Sequence, residues 1–313
     1  MTRALIFPGQ GSQSVGMGKA LAEALAPARE VFEEVDDALD QKLSRLIFEG
    51  PEDELTLTEN AQPALMAVSM AVVRSLVNDG KAVAEICSHV AGHSLGEYTA
   101  LCAAGAISLQ DTARLLRRRG QAMQRAVPVG KGAMAAILGL ELDQVAEIAR
   151  EAAGGDHVCA PANDNAPGQV VVSGHREAVE RAVELARERG AKRGVLLPVS
   201  APFHCALMKP AAEEMREALK EAAIAAPAVP VITNVTAAPE ESPETMRRLL
   251  VEQVTEMVRW RESVARFSDL GLDSAVEIGA GKVLSGLVRR IDRSIEVANI
   301  HEPGELEAFA ARL

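Results

Sequence analysis

A serine with a glycine two residues to either side, Gly92-His93-Ser94-Leu95-Gly96, has the spacing of a nucleophile elbow. In that motif a strand turns sharply into a helix and pushes a hydroxyl into a cleft. The glycines let the backbone turn without a Cβ clash, and the hydroxyl lands at a helix N-terminus, where free amides can stabilise an oxyanion. The motif alone is weak. Its context, a strand predicted over 89–91 and a helix predicted over 95–104, favours catalysis over a chance capping turn. Elbows of this kind serve hydrolysis and acyl transfer alike.

A serine nucleophile needs a base. His89, His157, His175 and His301 sit in segments with no other chemical signal, and His93, beside the serine, is expected to point elsewhere on the turn. His204, in VSAPFHCALM, follows a predicted strand end and precedes a helix, so it is the strongest candidate. The bland alternative is a hydrogen-bonded, half-buried histidine. No acid stands out as its partner: Asp143, Asp156 and Asp164 fall in a segment expected to form a separate small unit. Arg117, Arg118 and Arg119 occupy consecutive helix positions about 100° apart, so they cannot all face the same way. The default is a solvated charged face, but a helix packed beside the elbow could send one guanidinium into the cleft. There it could hold a carboxylate as a bidentate pair. FPGQGSQSVGMGK (7–19) fails both phosphate-loop spacings, because Ser14 and Gln13 stand where glycines are needed. What remains is a tight turn whose backbone amide, that of Gln10, could donate to an oxyanion.

The elements that must position these groups alternate. Strand 4–7, helices 18–39 and 62–77, strand 89–91 and helices 95–104 and 111–125 make an α/β pattern with a mostly parallel, helix-covered sheet. The register changes near 127–130. Strand 133–138, helix 142–153, strands 157–161 and 169–173, helix 176–189 and strand 193–199 follow in β-α-β-β-α-β order, that of a ferredoxin-like unit. The α/β pattern then resumes, with helix 207–222, strand 230–233, helices 244–257 and 261–270, and strand 274–278. The expected organisation is a large α/β domain from 1–127 and 200–313, hydrolase-like in its core, interrupted by a small ferredoxin-like α+β subdomain, 128–199, that walls a cleft. A hydrolase elbow has several strands upstream; here there are one or two.

Bulk properties narrow the partners. The net charge of −11 disfavours binding to a phosphate backbone, and 3% aromatic residues disfavour base stacking, so no nucleic-acid partner is expected. Four cysteines, Cys87, Cys102, Cys159 and Cys205, lack metal or disulfide spacing and suit a reducing cytoplasm. The most apolar long stretch, 60–77, contains Arg74 and reads as a buried helix, and the N-terminal apolar run is too short for a secretory leader. No membrane association is expected.

Six segments together, FPGQGSQ (7–13), GHSLGEYTAL (92–101), RGQAMQ (119–124), NDNAPGQVVVSG (163–174), PFHCALM (202–208) and EIGAGKVLSGL (277–287), resemble the bacterial malonyl-CoA:acyl carrier protein transacylases. The match is in order and spans nearly the whole chain. The resemblance implies a ping-pong transfer: Ser94 attacks the malonyl thioester while His204 takes its proton, and the phosphopantetheine thiol of acyl carrier protein then attacks the malonyl-serine, supplying fatty acid biosynthesis. It implies an oxyanion hole from the amides of Gln10 and Leu95, Arg119 on the malonyl carboxylate, and His204 oriented by a carbonyl near Gln253, not by an aspartate. It places Met123 and His93 in the substrate pocket, and reads Phe203 with Leu95 as a malonyl-selective pattern. It implies malonyl-CoA and acyl carrier protein as partners, no cofactor and no metal, coenzyme A being part of the substrate, and a monomer. Two departures stand out. The proline that relatives often carry in the segment matching 256–260 is absent, and their Gly-Pro-Gly near the C-terminus is Gly279-Ala280-Gly281. Serine hydrolysis and a non-catalytic carrier-binding role remain the competing readings, with Arg247, Arg248 and the small-subdomain arginines as candidate docking cations.

Overall fold

The computed structural model describes residues 2–78 and 80–313. Strand β1 (Arg3–Phe7) is followed by helices α1 (Lys19–Ala24), α2 (Ala26–Leu39), α3 (Leu43–Glu49), α4 (Glu52–Thr56), α5 (Thr58–Val77) and α6 (Val83–Ile86). Strand β2 (His89–Gly92) leads into α7 (Leu95–Ala103) and α8 (Leu109–Ala126). Next come β3 (Gly132–Leu138), α9 (Leu142–Ala153), β4 (Cys159–Ala166), β5 (Gln169–His175), α10 (Arg176–Glu188) and β6 (Arg193–Leu196). A single 3-10 turn at Ala206–Met208 precedes α11 (Lys209–Glu221), β7 (Val231–Ile232), β8 (Pro239–Glu240), α12 (Pro243–Glu252) and α13 (Trp260–Asp269). Strand β9 (Ser274–Ile278), α14 (Val283–Ile291), β10 (Glu296–Ile300) and α15 (Pro303–Ala310) complete the chain.

Two sheets result. One has the order β10-β9-β1-β2-β7-β8 and is parallel throughout except for the β7–β8 hairpin. The other has the order β4-β5-β3-β6, fully antiparallel, and is backed by α9 and α10. The large sheet is the positioning device. Phe7 of β1 pairs with Gly92 of β2, and β2 pairs with β7. Three neighbouring strands therefore end together, and the residues just past those ends, Gln10, Ser94 and Asn234, share one rim.

Local differences from the sequence-based expectation have local causes. The helix expected over 18–39 breaks at Leu25, which is extended, and restarts with Pro27 in the first turn of α2. Helix α5 begins at Thr58, four residues before the expected start, with Pro63 inside it; that proline reads in sequence as a helix opening. The helix expected to reach 257 ends at Glu252, and 254–259 instead runs beside β4, where Val258 N–H donates to Ala162 O and Asp164 N–H to Val258 O. Strand β4 extends to Ala166 and β6 stops at Leu196. Helices α3, α4, α6, α14 and α15 and strands β8 and β10 have no counterpart in the sequence-based reading. Among the described residues no helix is long and apolar enough to cross a membrane, and no cluster of three His, Cys, Asp or Glu could hold a metal ion.

Candidate active site

Close backbone packing explains the glycines of the turn. A Cβ on Gly92 would lie 1.9 Å from the Gly96 carbonyl oxygen, and one on Gly96 would lie 2.3 Å from that of Phe7. Helix α7 therefore starts directly against the β1–β2 strand ends. Ser94 sits between them at φ 53°, ψ −110°, a strained conformation for a non-glycine residue. Its own N–H is held by Asn234 Oδ1 at 2.7 Å, while Asn234 Nδ2 donates to Gly92 O.

His204, also at positive φ (57°), brings Nε2 to 2.8 Å from Ser94 Oγ. Its Nδ1 lies 2.8 Å from the main-chain oxygen of Gln253, the C-cap residue just past α12. A helix leaves its last carbonyls unpaired, so a neutral acceptor is available there without a carboxylate. Because that oxygen only accepts, Nδ1 carries the proton and Nε2 is left to accept from the serine. Burial, with the Arg119 charge adding to it, pushes the imidazole pKa down to about 3, so the ring is a free base at neutral pH. Asp164, one of the acids set aside from sequence, is turned away and pairs with Arg261 at 2.8 Å.

Of the three consecutive arginines, one enters the cleft. Arg119 shares the inner face of α8 with Leu115, Leu116, Ala122 and Met123 and is 1% exposed. Arg117 reaches Asn60 and Arg118 reaches Glu214. The Arg119 guanidinium donates from Nη1 to Gln62 Oε1 (2.8 Å), and from Nη2 to Gln253 Oε1 (2.8 Å) and Ser94 Oγ (3.1 Å). Among the described residues no carboxylate lies in ion-pair contact with it.

Ser94, His204, Arg119, Gln10, Leu95, Phe203, Met123 and His93 line one cleft of about 400 Å³, with Gln62 on its floor. The small sheet and the segment after it contribute Met134, Asn163, Leu197, Pro198 and Val199 to the opposite wall. Gln253 is fully buried behind the wall and reaches the cleft through its hydrogen bonds. His93 faces the cleft but not the serine hydroxyl, since its Nε2 is tied to Asn165 Oδ1 at 2.9 Å. The Gln10 and Leu95 amides have no acceptor among the described residues, and Leu95 opens α7, where the helix N–H groups are free. Gln10's side chain accepts from Thr58, which accepts in turn from Gln62, linking this turn to Arg119. Cys205 is buried with its thiol directed to Pro202 O, and burial pushes its pKa up. Of the proposed docking cations, Arg248 pairs with Glu252 and Arg247 donates to Ala222 O.

Sequence reasoning missed Gln62, Glu97, Asn163 and Asn234. Asn234 was findable as a polar residue just past a strand end of the parallel sheet. The other three carry no local signal.

Residues 4–302 match the acyl transferase domain family. The malonyl CoA-acyl carrier protein transacylase of Bacillus subtilis (strain 168) is 46% identical over 97% of this chain and 95% of its own length. That of Escherichia coli (strain K12) is 45% identical over 97% of each. An acyl-carrier-protein S-malonyltransferase from Bartonella henselae superposes with a TM-score of 0.96 at 58% identity over 98% of each chain. A malonyl-transacylase solved in complex with a type II polyketide acyl-carrier protein superposes with a TM-score of 0.96 at 42% identity over the full length of both. The chain belongs to the acyl transferase family, alongside the malonyl CoA-acyl carrier protein transacylases.

Proposed function

We propose that this chain moves a malonyl group from malonyl-CoA to the phosphopantetheine thiol of an acyl carrier protein through an ester on Ser94. In the first half-reaction His204 Nε2 takes the hydroxyl proton as Oγ attacks the thioester carbonyl. The Gln10 and Leu95 amides receive the oxyanion; its collapse breaks the C–S bond, and the coenzyme A sulfur leaves with the proton from His204. In the second half the carrier thiol gives its proton to His204 and attacks the ester. Collapse returns that proton to Ser94 Oγ and leaves the malonyl thioester on the carrier. Protons and acyl group balance on two thiols, one serine and one imidazole, so the scheme needs no cofactor or metal.

The observation that carries this reading is Arg119. A buried guanidinium 3.1 Å from the nucleophile, with no carboxylate against it among the described residues, is costly unless a ligand supplies the missing charge. The free carboxylate of a malonyl group attached at Ser94 is of the right sign and within reach. The names of the relatives support the same substrate pair, and the carrier complex of one neighbour supports a protein acceptor. In this scheme 1–127 and 200–313 form the catalytic unit and 128–199 the wall, and Phe203 and Met123 shape the acyl pocket. The chain acts as a cytoplasmic monomer, a setting that suits its four buried free cysteines.

Incubation with radiolabelled malonyl-CoA is expected to label Ser94, and added holo-carrier protein to remove the label as malonyl-carrier thioester. Label leaving chiefly as malonate would replace transfer by hydrolysis, and absence of label would leave only a binding role.

A further inference from the structure

Beneath the serine turn lies a carboxylate to which the scheme gives no task. Glu97, in the first turn of α7, is 1% exposed and has no lysine, arginine or histidine in ion-pair contact among the described residues. Its Oε2 accepts twice, from Gln253 Nε2 at 2.9 Å and from the Asn234 N–H at 2.9 Å. Burial pushes its pKa up to about 7, against those two hydrogen bonds.

We infer that Glu97 is a positioning residue that fixes which way the Gln253 amide faces, and through it sets Arg119 for a carboxylate-bearing acyl group. The argument rests on donor and acceptor inventory. An amide has one donating and one accepting end, whereas this carboxylate oxygen accepts from both neighbours. Gln253 must therefore turn Nε2 toward Glu97 and the Ser94 carbonyl (3.0 Å), which leaves Oε1 for Arg119 Nη2. Turned over, the amide would set its oxygen against the carboxylate and its NH2 against the guanidinium, replacing two attractions by two repulsions. The same residue's main-chain oxygen orients His204. On the other arm, Glu97 holds the backbone of Asn234, whose side chain fixes the Ser94 N–H. Protonation on Oε1 leaves Oε2 accepting, so a neutral isostere preserves both bonds.

This inference rests on the malonyl-transfer reading; a wild-type chain that fails to transfer malonyl would sink that reading first. The test compares Glu97→Ala, Glu97→Met and Glu97→Gln in the full chain, with Gln253→Ala and the double variant Glu97→Ala/Gln253→Ala. Malonyl and acetyl transfer to carrier protein are followed together with thermal melting. The expected result is a loss of about 100-fold in malonyl kcat/KM for the Ala and Met variants. Acetyl transfer should fall much less, Gln should restore malonyl transfer to within a few-fold of wild type, and the double variant should be no worse than Gln253→Ala alone. Equal loss of malonyl and acetyl transfer, multiplying losses in the double variant, or unchanged malonyl transfer in Glu97→Ala would overturn it. So would failure of both apolar variants to fold while Gln folds, which would assign Glu97 to the fold.

Discussion

The two units meet the cleft over different kinds of packing. Under the serine turn, the large unit buries Gln62, Glu97, Arg119, Asn234 and Gln253, each hydrogen-bonded to another of the set. Between its sheet and α9 and α10, the small unit buries a cluster of Ile137, Val145, Ile148, Val172, Val179 and Val183. Hydrogen bonds have direction, so a satisfied polar network fixes angles. Aliphatic packing fixes volume and tolerates rearrangement at similar volume. The polar set of the large unit thus fixes the angles at which Ser94, His204 and Arg119 meet, while the small unit lines the cleft with Met134 and Asn163. Polar contacts tie them, among them Arg261 to Asp164, His93 to Asn165, Arg290 to Gln169, and the main-chain bonds of Val258 with Ala162 and Asp164.

That contrast can be broken from either side. Ser94→Ala should lower malonyl transfer by at least about 10⁴-fold with an unchanged melting curve, since only the hydroxyl is removed. Steady-state assay beside thermal melting checks it; a smaller loss would mean another nucleophile. Arg119→Ala should cost malonyl transfer about 10²–10³-fold and leave acetyl transfer equal or raised, and parallel loss of both would make the arginine structural. In the small unit the effect should move from rate to stability. Ile137→Ala, at a position with no exposure, should cost about 2–5 kcal/mol of unfolding free energy with little change in turnover per folded molecule, as read by urea denaturation and active-site titration. The smallest effect concerns pH. With the His204 pKa near 3 the base is deprotonated across the neutral range, so lowering the pH cannot remove it. In Glu97→Gln, where that carboxyl no longer titrates, serine acylation by rapid quench should change less than about twofold from pH 7.5 to 5.5, whereas an ordinary imidazole would lose about tenfold.

The elements carrying short-range punctuation are legible before any coordinates. Strand β2, helix α7 and the turn between them follow from glycine spacing, and the βαββαβ order of the small unit follows from regular periodicity. Helix α12 is legible but its end is not: nothing in Gln253-Val254-Thr255-Glu256 stops a helix, and the bridge from Val258 to Asn163 that draws the chain away is a tertiary pairing. That end decides where the Gln253 carbonyl lies. Which of Arg117, Arg118 and Arg119 turns inward is left open by their spacing; in the structure Arg119 lies on the buried face of α8 with Leu115, Leu116 and Met123. Glu97 looks in sequence like an ordinary first-turn acid at a helix N-terminus. Its burial is set by Asn234 and Gln253, each well over a hundred residues away, and no local pattern encodes that.

The carbonyl at the end of α12 has a consequence for which nucleophiles the cleft can use. An aspartate there would make the imidazole more basic than the carbonyl does; without one, burial and the Arg119 charge leave a base that holds a proton poorly. Such a base sorts incoming molecules by acidity. A thiol, with a pKa near 8.5, gives up its proton roughly seven orders of magnitude more readily than water, near 15.7. The poorer the base, the more of that gap is felt at the moment of attack. In the proposed transfer, a modest proton acceptor would thus keep the acyl-serine ester for sulfur in a solvent made almost wholly of competing oxygen.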